Sequence, residues 1–443
     1  MKVNTSYKNI WSISYPIILG SLATTVLNIT DTAFLARVGE IELGAMAIAG
    51  VFYFVLVMIG IAIGTGAQIL MSRRAGEGNV PEIGKLFDHT FFILAGLSVA
   101  MILMVTFFSP GFFGLLLKSE KVLQACNDFM GIRVWGLLFT LTAITFRSFF
   151  IGISHTRIIT YSAVIMMALN IILGYVMIFG KFGFPEMGIK GAALAAVISE
   201  FVSVAYLVIY SGVKNEFKPY RLFRFSDISK TRLNSILHLS SPVILQNCLS
   251  MGAWFLFFVF IERMGEHELA ISNIIRATYM ILMTPIWGYA SATNSMVSNL
   301  IGQGKQEEVK LVVKRIIKLS LTTTFILFII TFISPQWILR ITTSDARLIA
   351  DATGTYYIVI TAMFLFSVSV ILLSAVSGSG NTKAAMSIEF INIFIYMIYV
   401  YICAVVIHAS IEAVWFSEIL YWVLMGSLSW IYLNHRKWKH YEI

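Results

Sequence analysis

Residues 14–39 read SYPIILGSLATTVLNITDTAFLARVG. The stretch is long and apolar enough to cross the hydrocarbon of a bilayer, about 30 Å thick. It nevertheless carries Pro16 near its start and the ionisable Asp31 well inside. Thr24, Asn28 and Asp31 fall at i, i+4 and i+7, which places all three on one helical face. Unsatisfied polar groups in lipid cost several kcal/mol, so that face is expected to look into a cavity or onto partner helices. A carboxylate at such a position is a candidate functional group.

The totals agree with a membrane setting. The chain has 443 residues, 58% of them hydrophobic and 12% charged, with a mean hydropathy of +0.83. That composition, with its repeated long apolar runs, reads as an all-α polytopic membrane protein. The net charge of +9 is therefore taken as a topological signal rather than a nucleic-acid surface. Cys126, Cys248 and Cys403 lie far apart and offer neither a metal spacing nor a disulfide framework. The seven histidines form no metal motif, and no glycine-rich stretch continues into a P-loop. ATP, a resident cofactor and enzymatic chemistry are not expected. The first apolar run does not read as a cleavable signal.

Hydrophobic runs predict twelve spans, at 10–36, 44–70, 88–110, 126–152, 158–180, 189–213, 237–262, 268–296, 316–340, 349–377, 384–408 and 411–434. The loops on one side hold about 21 Lys and Arg, among them the C-terminal Arg436, Lys437 and Lys439, against about eight opposite. The richer side is read as cytoplasmic, with both termini inside. Residues 1–213 form the expected N-lobe, 214–236 a cytoplasmic linker and 237–443 the C-lobe. The basic, aromatic linker reads as an amphipathic segment on the anionic inner leaflet.

The halves repeat each other at a single offset of 226 residues. Pro16 maps to Pro242, Gly39 to Gly265, Tyr53 to Tyr279, Gly78 to Gly304 and Gly152 to Gly378. Because six spans separate the copies, the two lobes are related as a parallel repeat, an arrangement common among secondary transporters. Asp31 has no counterpart, since its mate is Phe257. That asymmetry points to the first lobe as the ion-coupling one.

Several motifs together resemble the multidrug and toxic compound extrusion (MATE) family. They are the span-1 run from PIILG to DTAFLARVGEIELGAMAI, QILMSRRAGEG after span 2, FRSFFIGISHTR at the end of span 4 and SGSGNTK after span 10. The resemblance covers nearly the whole chain. It implies an antiporter that exports amphipathic, cationic small molecules in exchange for H⁺ or Na⁺. It also implies roles for Pro16 as a helix-bending residue and for Asp31 and Asn170 in a cation-coupling cluster, with Na⁺ at Asp31 as one option. Where the family has Asp or Asn four residues after Asn170, this chain has Gly174, which removes one polar ligand. Where one branch has an acid in span 7, this chain has Ser250. Loss of both acids favours H⁺.

Three further expectations concern the remaining polar residues. Glu200 in span 6 is expected to join Asp31, Asn28 and Asn170, replacing the acid missing at Gly174. Arg276 is expected to counter-charge a buried acid. Thr24 and the stripe Glu389, Asn392 and Tyr396 along span 11 are expected to face the substrate cavity. The protein is expected to be a monomer in a bacterial-type inner membrane, acting on drug-like small molecules. Three other readings stay open: a lipid-linked oligosaccharide flippase of the same superfamily, a membrane enzyme or a receptor.

Overall fold

The computed structural model describes residues 2–225, 227–340, 342–343, 345–435 and 438–439. Arg436 and Lys437 of the basic C-terminal cluster lie outside the described residues. Every regular element among those described is helical. Eleven helices are long and apolar enough to span a membrane, and a bent helix pair supplies a twelfth span.

One compact unit comprises Leu19–Ser240, the other Lys2–Ile18 together with the chain from Ser241 onward. These bounds differ from the expected lobes in two places. The linker belongs to the first unit, and residues 2–18 belong to the second. The first helix of each half, α1 (Tyr7–Val38) and α8 (Lys230–Glu262), is thus shared between units, and each divides within three residues of its proline, Pro16 or Pro242. Both run through their proline without a break in helical assignment.

The first unit continues with α2 (Glu40–Glu77), α3 (Val80–Leu116), α4 (Glu120–Arg133), α5 (Gly136–Gly152), α6 (Arg157–Ile178) and α7 (Gly188–Val213). The α2–α3 turn needs Gly78 at φ +80°, and its repeat mate Gly304 has φ +75°. A side chain with a Cβ is strained in that region, which explains why the glycine occurs in both copies. The expected single span at 126–152 is corrected: it breaks after Arg133, with α4 and α5 inclined by 50°. No proline lies there. The break coincides with Arg133 turning inward and Gly136 opening the next helix, a geometry that hydropathy alone does not encode.

The second unit holds the rest of α8, then α9 (Glu266–Gly302), α10 (Val309–Ile333), the short α11 (Pro335–Leu339), α12 (Ala346–Gly378), α13 (Thr382–Tyr401), α14 (Ile411–Trp415) and α15 (Ser417–Asn434). Its N-terminal segment is anchored on this unit. The Val3 amide donates to Asn299 Oδ1 at 3.2 Å, Gln303 Nε2 donates to the Val3 carbonyl at 2.9 Å, and Arg315 Nη1 donates to the Thr5 carbonyl at 2.6 Å.

The linker, read from sequence as an amphipathic segment on the inner leaflet, docks on the first unit. After a short 3₁₀ turn at Asn215–Tyr220 it folds back on α3. The Asp88 carboxylate accepts three successive backbone N–H groups, from Phe223 at 2.7 Å, Arg224 at 3.1 Å and Phe225 at 2.9 Å. Phe217, Tyr220 and Phe223 pack edge-on against Phe87, Phe149 and Phe150. Gly84 lets the Tyr220 carbonyl approach α3 where a Cβ would collide with it. Lys85 and Arg232, hydrogen-bonded to Asp227, hold its carboxyl below the usual range. Aromatic burial at one edge and a triply bonded carboxylate at the other make docking more favourable than spreading on lipid. Asp88→Ala removes an acceptor whose charge-assisted bonds are worth about 1.5–3 kcal/mol each. Tryptic cleavage at the exposed Arg221 and Arg224 is expected to rise about tenfold or more, and an unchanged rate would show that Asp88 does not hold the linker.

Candidate functional site

Asp31 projects from α1 into the first unit and is 8% exposed. Asn170 of α6, fully buried, lies beside it within weak hydrogen-bonding reach, yet neither atom of its amide makes a well-formed hydrogen bond. Arg133 and Glu200 share the same electrostatic neighbourhood. Arg133 Nη1 donates to Glu200 Oε2 at 2.8 Å and Nη2 to Oε1 at 2.6 Å, a bidentate pair whose side chains are 13% and 12% exposed. The guanidinium carbon lies 4.0 Å from the centre of the Tyr53 ring, and the Tyr53 hydroxyl is 3.0 Å from that of Thr140.

Gly136 makes this packing possible. A Cβ there would collide with Arg133 Nη1, lie 2.6 Å from Glu200 Oε2 and 3.2 Å from the Tyr53 hydroxyl. The bend between α4 and α5 and the glycine that follows it therefore admit one guanidinium into the helix bundle. Glu200, expected to join Asp31 and replace the acid missing at Gly174, lies in the same neighbourhood but has both of its oxygens taken by Arg133. Two carboxyl groups and one guanidinium leave one carboxyl without an ion-pair partner, and that carboxyl is Asp31.

Thr24 and Asn28 share the Asp31 face of α1 but are exposed. The Thr24 hydroxyl donates to its own helix, at the Gly20 carbonyl, 3.1 Å away, and neither side chain hydrogen-bonds to Asp31. A side chain at Gly174 would meet the Phe34 ring, 3.6 Å from its Cβ, so an aromatic edge rather than a polar ligand occupies that side.

The second unit carries its own buried acids. Glu389, Asn392 and Tyr396 are 3%, 0% and 2% exposed, so all three are enclosed by helices rather than lining an open cavity. Glu389 Oε1 accepts the hydroxyls of Ser250, at 2.7 Å, and Tyr421. Glu418 Oε2 accepts the Tyr279 hydroxyl at 3.1 Å and Trp422 Nε1 at 3.0 Å. Arg276 does not counter-charge either acid; it is exposed and lies 4.8 Å from the Phe258 ring centre.

The repeat relates the two sites residue by residue. Asp31 and Asn170 correspond to Phe257 and Tyr396, whose rings stack 6.0 Å apart. Tyr53 and Tyr279, also repeat mates, each meet the buried charge of their own lobe. Arg133 lies inside the run predicted as one span at 126–152. Its only advance signal is a basic residue falling inside an apolar run.

Removing Arg133 would leave Glu200 as an uncompensated buried charge. Arg133→Ala is expected to cost about 3–5 kcal/mol in the folding of the purified protein. Arg133→Ala combined with Glu200→Ala is expected to recover at least half of that loss, read as the thermal unfolding midpoint in detergent. A double variant no more stable than the single one would show that the pair is not coupled.

The MatE family model matches residues 16–176 and again 242–402, two copies displaced by the same 226 residues as the internal repeat. The chain is 26% identical over 394 residues to the probable multidrug resistance protein NorM of Thermotoga maritima, covering 87% of this chain and 83% of that protein. Among solved structures, a MATE protein in complex with MaL6 superposes with a TM-score of 0.90 at 16% identity, covering 96% of this chain and 95% of that one. A MOP superfamily transporter from Pyrococcus furiosus gives 0.87 at 17% identity, covering 96% and 95%. Two matched repeats, all-helical lobes and this structural likeness lead to one conclusion: the chain is a multi-pass membrane protein of the MATE family of transporters.

Proposed function

We propose that this protein is a cation-coupled antiporter that exports amphipathic, cationic small molecules by alternating access. One observation carries the proposal: Asp31 is a surplus carboxylate inside the first lobe, next to an acid whose charge is already neutralised by Arg133. A surplus buried charge is costly and is relieved by binding a cation. The similarity to a protein named for multidrug resistance supports drug-like substrates.

Asp31 binds the coupling ion, and Asn170 offers an amide without a well-formed bond as its neighbour. Asn28, on the same face of α1, stays accessible for the stage at which the ion enters. Glu200 acts through Arg133, setting the field that Asp31 experiences. Coupling follows because an ion that binds two conformations unequally shifts the balance between them. Pro16, which leaves a carbonyl of α1 without its helical donor, allows that helix to bend during the change. We favour H⁺ over Na⁺, since Gly174 and Phe34 offer no further oxygen ligand. The distribution of Lys and Arg supports a cytoplasmic side for both termini, and the similarity to bacterial proteins supports an inner membrane.

The test is efflux of ethidium from vesicles containing the purified protein, with a proton gradient and a sodium gradient imposed separately. Asp31→Asn is expected to reduce gradient-driven efflux at least tenfold while leaving the protein folded. Full gradient-driven rate in that variant would remove Asp31 from the coupling. Transport driven by sodium alone would replace H⁺ by Na⁺.

A further inference from the structure

We propose that Glu389 is a second proton-binding carboxylate, housed in the C-lobe and independent of Asp31. The proton resides on Glu389 Oε2 and is donated to the side-chain oxygen of Asn392.

Glu389 Oε1 already accepts two hydroxyls, from Ser250 and Tyr421. Oε2 is buried without a partner, and both amide atoms of Asn392, a fully buried residue, are also without one. Glu389 and Asn392 stand at i and i+3 on α13 and so share a helix face. A buried polar atom left unpaired costs about 1–3 kcal/mol, and a charged one costs more. An ionised Oε2 can only accept, and among the described residues no donor reaches it, the Asn392 amide nitrogen being as unbonded as its oxygen. A protonated Oε2 is a donor, and Asn392 Oδ1 is an acceptor in want of one. A single proton thus satisfies two orphaned atoms and removes a buried charge.

No cation substitutes for it. Among the described residues no Lys, Arg or His forms an ion pair with Glu389. The groups that meet it are hydroxyls, Ser250 from α8 and Tyr421 from α15, and Tyr421 in turn has Tyr396 of α13 and Glu418 of α15 as neighbours. On α12, which also packs against α13, Asp351 is paired with His267 of α9 and the Tyr356 hydroxyl donates to the Thr331 carbonyl. A hard metal cation requires about six or more oxygen ligands, whereas only Oε2 and Asn392 Oδ1 stand open.

The repeat explains how a lobe without a counterpart of Asp31 comes to hold such a group. Ser250 and Glu389 each lie seven residues before Phe257 and Tyr396, the mates of Asp31 and Asn170. The polar contact between the first and fifth helices of the lobe has moved two turns, about 10 Å, along both helices in step. A ring stack fills the vacated level.

The proposal is tested by infrared spectroscopy of the full chain in lipid nanodiscs at neutral pH, with glutamate carbon-13 labelling to separate glutamic from aspartic carboxyl bands. The wild type is expected to show a protonated glutamic carboxyl band that Asp31→Asn preserves and Glu389→Gln removes. Ser250→Ala keeps the acid but deletes one donor to its carbonyl oxygen, and is expected to move the band to higher frequency. That variant reports on Glu389 even if Glu389→Gln fails to fold. A band unaltered by both substitutions, or no such band in the wild type, would overturn the proposal. So would a band that disappears on adding sodium chloride at constant pH, which would identify a metal-cation site instead.

Discussion

Burying a carboxylate among apolar helices is the constraint to which both lobes answer, because hydrocarbon offers it neither water nor counter-ions. The first lobe spends structure on a guanidinium. A span is broken, a glycine follows the break, and Arg133 enters to grip Glu200 with both nitrogens while lying on the Tyr53 ring. That arrangement neutralises one acid and leaves Asp31 in surplus. Among the described residues the second lobe has no such cation at its acids. It surrounds Glu389 and Glu418 with hydroxyl and indole donors from Ser250, Tyr421, Tyr279 and Trp422. One lobe therefore counters charge with charge, the other with hydrogen bonds.

These two solutions are built on one scaffold. The repeat keeps residues whose role is geometric, such as Gly78 and Gly304 in the left-handed turn and the tyrosine pair Tyr53 and Tyr279. It does not keep the acids. At the level where Asp31 faces Asn170, the other copy stacks Phe257 on Tyr396, and its polar contact lies two turns earlier along the same two helices. Seven residues return nearly to the same helix face, so a contact can shift by that step without turning its side chains away from their partners.

The linker shows a similar economy. An acid on α3, Asp88, gathers three consecutive amides, and a cluster of phenylalanines receives the linker rings. Backbone that would otherwise be exposed is thereby tied to the first unit. Aromatic and basic alternation, which reads as a lipid-surface pattern, serves instead as a docking pattern.

Sequence by itself determined the class of protein, the number of spans, the 226-residue repeat and the standing of Asp31 as an acid in the wrong solvent, because hydropathy, period and the cost of a buried charge are local properties. It also singled out Glu200 as an acid within its span, but read Glu389 as facing a cavity, whereas Glu389 is enclosed by helices. It did not reach the partners. That Arg133 neutralises Glu200, that Ser250 meets Glu389 and that Asp88 holds the linker are pairings across 67, 139 and 135 or more residues. Only tertiary structure decided them, since a contact between distant residues depends on where helices bend and which faces meet. The break between α4 and α5 is the clearest instance, for it arises with no proline to announce it.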